Sequence, residues 1–133
     1  MLKLFYIPNT RASRVRWMLE ELGAPYELAR IDWDTADSEQ YRREVHPLGA
    51  VPALQDGAQL IIESAAIIAY LADKFSDKGL APPPGERGAY YQWIVYAMAT
   101  LEPLVSTWND HTRKLPEAER NPAAAQKARE LFA

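Results

Sequence analysis

The chain contains no cysteine among its 133 residues. A disulfide framework, a cysteine-ligated metal site, a cysteine nucleophile and redox chemistry that uses the protein's own cysteine pair are therefore excluded. Histidine is nearly as scarce, since His46 and His111 are the only two and lie far apart without ligand-like spacing. We therefore expect no metal site.

An excess of one charge and long apolar runs are also lacking. The 15 Lys and Arg against 18 Asp and Glu give a formal net charge of -3, with no long run of either sign. Non-specific binding to nucleic acid needs a basic face, so we expect no nucleic-acid partner. No apolar stretch approaches membrane-spanning length, and the N-terminus shows no signal-peptide pattern. These absences predict a soluble, cytoplasmic protein with no membrane partner.

The most informative stretch that is present covers residues 50–70, AVPALQDGAQLIIESAAIIAY. In it, Val51 and Pro52 precede a short apolar strand. Proline has no backbone N–H and a fixed φ, so it fits poorly inside a sheet but can hold a tight turn before a strand, where a cis bond is an option. The backbone N–H and C=O of Val51 would then face outward, where an extended peptide can pair with them as an added strand.

Glu63 and Ser64 lie at the predicted start of the helix in the same stretch. A helix start offers free N–H groups and the positive end of the helix dipole, and Ser64 adds a hydroxyl. These groups suit an anion. Together with the outward backbone of Val51, they predict a site for a small peptide that carries a carboxylate.

The order of hydrophobic patterns and turn signals predicts the fold of the first part of the chain. The predicted elements are strands over residues 2–7, 26–31, 52–55 and 59–62, helices over 11–22 and 64–75, and a short helix from residue 38. The last two strands flank Asp56-Gly57, which is typical of a hairpin turn. This βαβ-α-ββα order predicts a four-stranded mixed sheet with helices on its faces.

The composition changes after residue 75. Residues 76–86 are rich in Pro and Gly and predict a linker, and residues 87–133 are helical in pattern. One long helix is predicted from Glu86 to His111, bent at Pro103. A second helix is predicted after Asn121-Pro122. The long helix carries a wide apolar stripe that two helices cannot readily bury. We therefore expect that further chain or another subunit covers this stripe.

Four segments, in this order and spacing, resemble the glutathione transferase family: LFYIP, RVRWMLEELGAPYEL, HPLGAVPAL and ESAAIIAYLADKF. The likeness covers a thioredoxin-like N-terminal domain, residues 1–75, and the opening of an all-helical second domain. It implies a homodimer that acts in detoxification, with glutathione as co-substrate and a small apolar electrophile as second substrate. The segment TRASRVRWMLEELG is most similar to bacterial and fungal members, in which a Ser-Arg pair often opens the first helix.

The resemblance also implies roles for individual residues. Val51 would pair through its backbone with the cysteinyl part of glutathione, and Pro52 would be cis. Glu63 would face the γ-glutamyl amino group, while the hydroxyl and N–H of Ser64 would hold its carboxylate. Arg11 would add a positive field at the sulfur.

The sequence departs from the family at Ala50. Many members have Lys or Gln near this position, and that side chain meets the glycine carboxylate of glutathione, which alanine cannot do. Arg11, Arg14 and His46 are the alternatives, and the sequence does not choose among them.

Three hydroxyls are candidates for activating the thiol, which has a pKa of about 8.5 when free. Thr10 takes the place of the serine in the Ser-Arg pair, although a plain helix cap explains it equally well. Tyr6 stands where tyrosine-type members carry their catalytic hydroxyl, but bacterial members that use another residue often have Tyr there too, so a role as an aromatic residue that packs on the sheet explains it somewhat better. Ser13 is the third candidate, expected one turn into the helix.

Two functions are therefore carried forward. The first is a glutathione transferase that directs the glutathione thiolate at small apolar electrophiles. The second is a non-catalytic module with the same fold that binds glutathione or serves assembly. Ala50, the open choice of hydroxyl and the short second domain motivate the second function.

Overall fold

A computed structural model describes residues 1–132, and the chain divides into two compact units, residues 1–81 and Pro82 onward. The first unit contains β1 Leu2–Tyr6, α1 Ala12–Leu22, β2 Tyr26–Arg30, α2 Trp33–Asp37, α3 Glu39–Glu44, β3 Ala53–Asp56, β4 Gln59–Ile62 and α4 Ser64–Lys74. The strand order is β2-β1-β3-β4, with β1 parallel to β2 and antiparallel to β3. The predicted four-stranded mixed sheet is confirmed.

Alternation along β1 explains the two layers of helices. Leu2, Leu4 and Tyr6 point to one face and are buried with residues of α1 and α4. Phe5 and Ile7 point to the other face, where they pack with Ala36 of α2 and Tyr41 of α3. Successive side chains of a strand face opposite ways, so the sheet carries helices on both sides.

Local capping sets the ends of the helices in this unit. Gly23 follows the end of the helix predicted over residues 11–22, has the left-handed conformation that glycine favours, and donates its N–H to the Glu20 carbonyl. Ser38 opens α3 as predicted, since its hydroxyl accepts from the Tyr41 N–H. Helix α2 was not predicted, because five residues are too few to show helical periodicity; it is started by Asp32, whose carboxylate accepts from the Thr35 N–H at 2.8 Å.

The second unit is helical. It contains α5 Gly88–Tyr96, α6 Glu102–Asn109 and α7 Pro122–Phe132. The long helix predicted over residues 86–111 contains a wider, π-type turn over Ala97–Leu101, which ends two residues before Pro103, and the backbone stays helical on both sides of it. Proline cannot donate to the carbonyl four residues back and its ring crowds that turn, which explains the widening. The predicted cap of α7 is confirmed, because Asn121 Oδ1 accepts from the Ala124 N–H at 3.1 Å.

The helices and the acidic and histidine side chains of residues 1–132 bear on membranes and metals. None of the helices in residues 1–132 combines the length and apolarity needed to cross a bilayer. No group of three or more His, Asp or Glu side chains in those residues is arranged to hold a metal ion.

Candidate functional site

The strand register brings the sequence-predicted site residues to one end of the sheet. Phe5 of β1 lies opposite Ala53 of β3, and Ala53 lies opposite Ile62 of β4. The residues that follow or precede these three positions are Tyr6, Pro52 and Glu63. Neighbouring strands lie about 4.8 Å apart, so the end of β1, the start of β3 and the start of α4 are adjacent.

The loop before β3, residues 46–52, is called the proline loop below. Its Val51-Pro52 peptide bond is cis, as the resemblance implied. The Val51 side chain packs against the apolar clusters on both faces of the sheet. Its backbone N–H and C=O make no hydrogen bond within residues 1–132. The loop therefore presents an anchored residue with a free donor and a free acceptor, which is what pairing with an extended peptide needs.

Three contacts hold the proline loop, and sequence reasoning found none of them. The Tyr41 hydroxyl donates to the Ala50 carbonyl at 3.0 Å. The Gly49 N–H donates to the His46 carbonyl at 2.9 Å, with Gly49 at a φ of 61°. The Leu48 N–H donates to Nδ1 of His46 at 3.2 Å. Such contacts carry no local signal, because each joins groups whose orientation is set by the fold.

His46 is only 4% exposed, and this bears on the glycine carboxylate of the expected ligand. Burial holds the pKa of His46 below its usual range, and the Glu63 carboxylate only partly opposes this effect. The imidazole is therefore neutral near pH 7. A neutral, buried ring is a poor partner for a carboxylate, so Arg11 and Arg14 are the better alternatives.

The start of α4 offers donors that the protein does not use. The first helical bond runs from the Ile67 N–H to the Glu63 carbonyl at 2.9 Å, so the preceding N–H groups have no acceptor in the helix. Ser64 is the first residue of α4 and is buried, yet its hydroxyl has no hydrogen-bond partner within residues 1–132. The predicted anion site thus has its donors in place.

Two residues other than glycine have a positive φ within residues 1–132, and both flank this end of the sheet. Asn9 has a φ of 59° and Glu63 a φ of 71°. Asparagine tolerates this region, whereas for glutamate it is a costly conformation that persists only where the surroundings fix it. Such positions cluster at functional sites. No pattern in the sequence marks Glu63 in this way.

Thr10 lies in the turn between β1 and α1, residues 7–11, called the β1–α1 turn below. Its hydroxyl donates to the Ile7 carbonyl at 2.7 Å and accepts from the Ala12 N–H at 3.2 Å. A hydroxyl has one proton, so the donor capacity of Thr10 is already used. Arg11, which follows it, is exposed and occupies the cap position of α1.

Tyr6 is buried at the end of β1, and its hydroxyl meets two residues of α1. The nearby Ser13 hydroxyl, followed by the Arg16 guanidinium, lowers the pKa of Tyr6 below its usual range. The guanidinium also lies over the Tyr6 ring, 5.7 Å from its centroid. Ser13 is the second residue of α1 rather than one turn into it, so the sequence-based placement of Ser13 was wrong. The Tyr6 hydroxyl donates to no acceptor within residues 1–132, so its proton is left to give.

Comparison with known proteins gives a consistent result. Residues 4–79 match the family model described as glutathione S-transferase, N-terminal domain. The chain is 33% identical over 117 residues to glutathione S-transferase 3 of Schizosaccharomyces pombe, a match over 86% of this chain and 48% of that protein. It is 39% identical over 101 residues to glutathione S-transferase F12 of Arabidopsis thaliana, over 70% and 47% of the two chains.

Among solved structures, the chain is similar to the theta class glutathione S-transferase of Xanthomonas axonopodis pv. citri with glutathione bound. The TM-score is 0.85 at 29% identity, over 98% of this chain and 64% of that one. The chain spans about half the length of the curated relatives it matches. The family model covers more than half of the chain, and its span includes the proline loop, the β1–α1 turn and the start of α4. The chain therefore belongs to the glutathione S-transferase family.

Proposed function

We propose that this protein is a cytoplasmic glutathione transferase that binds glutathione at the end of the sheet and directs its thiolate at small apolar electrophiles. In this proposal Val51 pairs through its backbone with the cysteinyl residue, next to the cis Pro52. Ser64 and the N–H groups of the first turn of α4 hold the γ-glutamyl carboxylate, and Glu63 faces the γ-glutamyl amino group.

The observation that carries the proposal is the register of β1, β3 and β4. It brings the proline loop beside the start of α4, so a free backbone donor and acceptor lie next to an unused hydroxyl and unpaired N–H groups. An extended peptide with a carboxylate at one end matches this arrangement. Solved structures of similar proteins from Xanthomonas axonopodis and Pseudomonas fluorescens contain glutathione, which supports the choice of peptide.

For the thiol, we propose Tyr6 as the hydrogen-bond donor and Thr10 as a structural residue that holds the β1–α1 turn through Ile7 and Ala12. The Ser13 hydroxyl, ahead of the Arg16 guanidinium, lowers the pKa of Tyr6, and a more acidic phenol is a stronger donor to a thiolate. Thr10 gives its proton to the Ile7 carbonyl instead. Arg11 remains the proposed source of positive field at the sulfur.

The proposed reaction with an aryl halide forms a bond between sulfur and carbon and breaks the bond between carbon and halogen. The halide leaves, and the thiol proton goes to solvent. Isothermal titration with glutathione, followed by a conjugation assay with an aryl halide, tests the proposal. We expect saturable binding and turnover above the uncatalysed rate. Absence of glutathione binding by the folded protein would refute the proposal.

The alternative is a module that binds glutathione without catalysis. Its specific support is the internal use of the Thr10 hydroxyl, which donates to the Ile7 carbonyl within the β1–α1 turn. Glutathione binding without turnover on any of several electrophiles would favour this alternative.

We also propose that the protein forms a homodimer. Helix α5 carries large apolar side chains that are exposed: Tyr91, Trp93, Val95 and Tyr96. Exposed apolar surface of this extent is typical of an interface. Light scattering should give twice the 15.0 kDa mass of the chain, and a clean monomer would contradict the proposal.

A further inference from the structure

Tyr41 lies outside the candidate site but contacts the proline loop directly. It lies in α3, within a segment of otherwise polar residues, yet only 5% of it is exposed. Its ring meets the Phe5 ring of β1 edge-on, with centroids 5.8 Å apart and planes at 76°. Its carbonyl accepts from both the Val45 and the His46 N–H. Tyr41 is therefore fixed at the ring and at the backbone.

The hydroxyl at the tip of this fixed ring donates to the Ala50 carbonyl at 3.0 Å. That carbonyl belongs to the same peptide unit as the Val51 N–H. A peptide unit is planar, and in the trans form its C=O and N–H point in opposite directions. Fixing the Ala50 carbonyl therefore fixes the direction of the Val51 N–H, which is the free donor of the proline loop.

We propose that Tyr41 is a positioning residue for glutathione binding: through the Ala50 carbonyl, it orients the Val51 N–H toward the ligand. The inference rests on the proposed function. Tyr41 touches neither the thiol nor the reacting carbon in this proposal, so it sets affinity for glutathione and leaves the chemical step alone. Burial raises the pKa of Tyr41 to about 12, so the hydroxyl keeps its proton at every pH suited to an assay.

Tyr41→Phe removes the hydroxyl and keeps the ring. The matched control is Tyr70→Phe, because the Tyr70 hydroxyl donates to the Asp56 carboxylate at 2.6 Å, at the opposite end of β3 from the proline loop. We expect Tyr41→Phe to raise the glutathione Kd and KM roughly two- to tenfold, the effect of one lost neutral hydrogen bond. The turnover number at saturating glutathione should change little. Tyr70→Phe should leave both constants at the wild-type value.

The outcomes separate this inference from the proposed function. If the wild-type protein does not bind glutathione, the proposed function itself fails. If the wild type binds and Tyr41→Phe binds equally well, only the positioning role is refuted. An equal loss of affinity in Tyr41→Phe and Tyr70→Phe would also refute it, because a general loosening of the domain would then explain the effect. A direct readout is the exchange rate of the Val51 amide hydrogen without ligand, which should change in Tyr41→Phe alone.

Discussion

Two regions at the same end of the sheet use their polar groups differently. The first is the proline loop together with the start of α4, and the second is the β1–α1 turn together with the neighbouring Tyr6. In the first region, the Val51 backbone and the Ser64 hydroxyl have no partner within residues 1–132. In the second, the Thr10 hydroxyl donates to the Ile7 carbonyl, and Ser13 and Arg16 lower the pKa of Tyr6. The first region thus leaves its polar groups available to a ligand, whereas Thr10 in the second is used by the protein's own structure.

This difference teaches where the functional proposal is strong. The Ser64 hydroxyl is in reach of solvent and, like the Val51 backbone, is bonded to no group within residues 1–132, so both remain available to a binding partner. Hydroxyls that are satisfied internally have a sufficient structural explanation, and only the remaining proton of Tyr6 points to chemistry. The predictions below test that contrast.

The largest effect is expected on the turnover rate, when the hydroxyls in or beside the β1–α1 turn are removed. Tyr6→Phe should lower the rate of aryl-halide conjugation roughly a hundredfold, the range seen when one preorganised donor to a developing anion is removed. Thr10→Val should change it far less, because the threonine proton is given to the Ile7 carbonyl. The pH profile of turnover for both variants is the measurement. A sharp loss in Thr10→Val with little change in Tyr6→Phe would reverse the assignment.

The next effect is expected on affinity at the start of α4. Ser64→Ala removes a hydroxyl proposed to bind a carboxylate, and hydrogen bonds to charged groups contribute about 1.5–3 kcal/mol. The glutathione Kd should therefore rise roughly ten- to hundredfold. Ser76→Ala is the control, since Ser76 is exposed and follows the other end of the same helix. Titration calorimetry on both variants is decisive, and unchanged affinity in Ser64→Ala would remove the anion site.

A third prediction concerns the shape of the proline loop. Gly49 and Gly57 have nearly equal φ angles of 61° and 59°. A Cβ at Gly49 would lie 2.8 Å from the Ala36 carbonyl oxygen, whereas a Cβ at Gly57 would meet nothing within 4 Å. Both alanine variants should lose about 1–2 kcal/mol of unfolding free energy from the left-handed backbone.

Gly49→Ala also overpacks the loop against α2, which should lower its unfolding free energy by about 1–3 kcal/mol beyond the backbone effect that it shares with Gly57→Ala. Urea unfolding of both alanine variants measures this difference. Glutathione affinity should fall in Gly49→Ala alone. Equal stability and affinity in the two variants would show that the close approach of the loop to α2 is unimportant.

The smallest effect concerns pH and His46. Its pKa is lowered by burial from the ordinary 6.5, so below pH 6.5 the unfolded chain binds a proton that the folded chain does not. Stability should therefore fall as the pH drops from 6.5 toward the folded pKa and then level off, by at most about 1.4 kcal/mol per pH unit. His46→Asn keeps an acceptor for the Leu48 N–H and removes the titration. Urea unfolding from pH 7.5 to 5.0 should show a shallower slope in this variant, and parallel slopes would contradict the argument.

Much of the fold could be predicted because its signals are local. Gly23 marked the end of α1, Ser38 opened α3, and Asp56-Gly57 marked the hairpin between β3 and β4. Helix α2 was missed because five residues show no period. The π-type turn before Pro103 was not foreseen either, since a proline predicts a disturbed helix but not which form the disturbance takes.

The sequence by itself determined which residue types the site contains: Val51 and Pro52 before a strand, Glu63 and Ser64 at a helix start, and Tyr6, Thr10 and Ser13 near the end of the first strand. Spacing along the chain is enough for this, because turns and helix ends are set by near neighbours. Only the tertiary structure decided which of these polar groups are already used and that Tyr41 holds the proline loop. A hydrogen bond depends on the direction of both groups, and residues nine positions apart acquire their directions only when the whole domain packs.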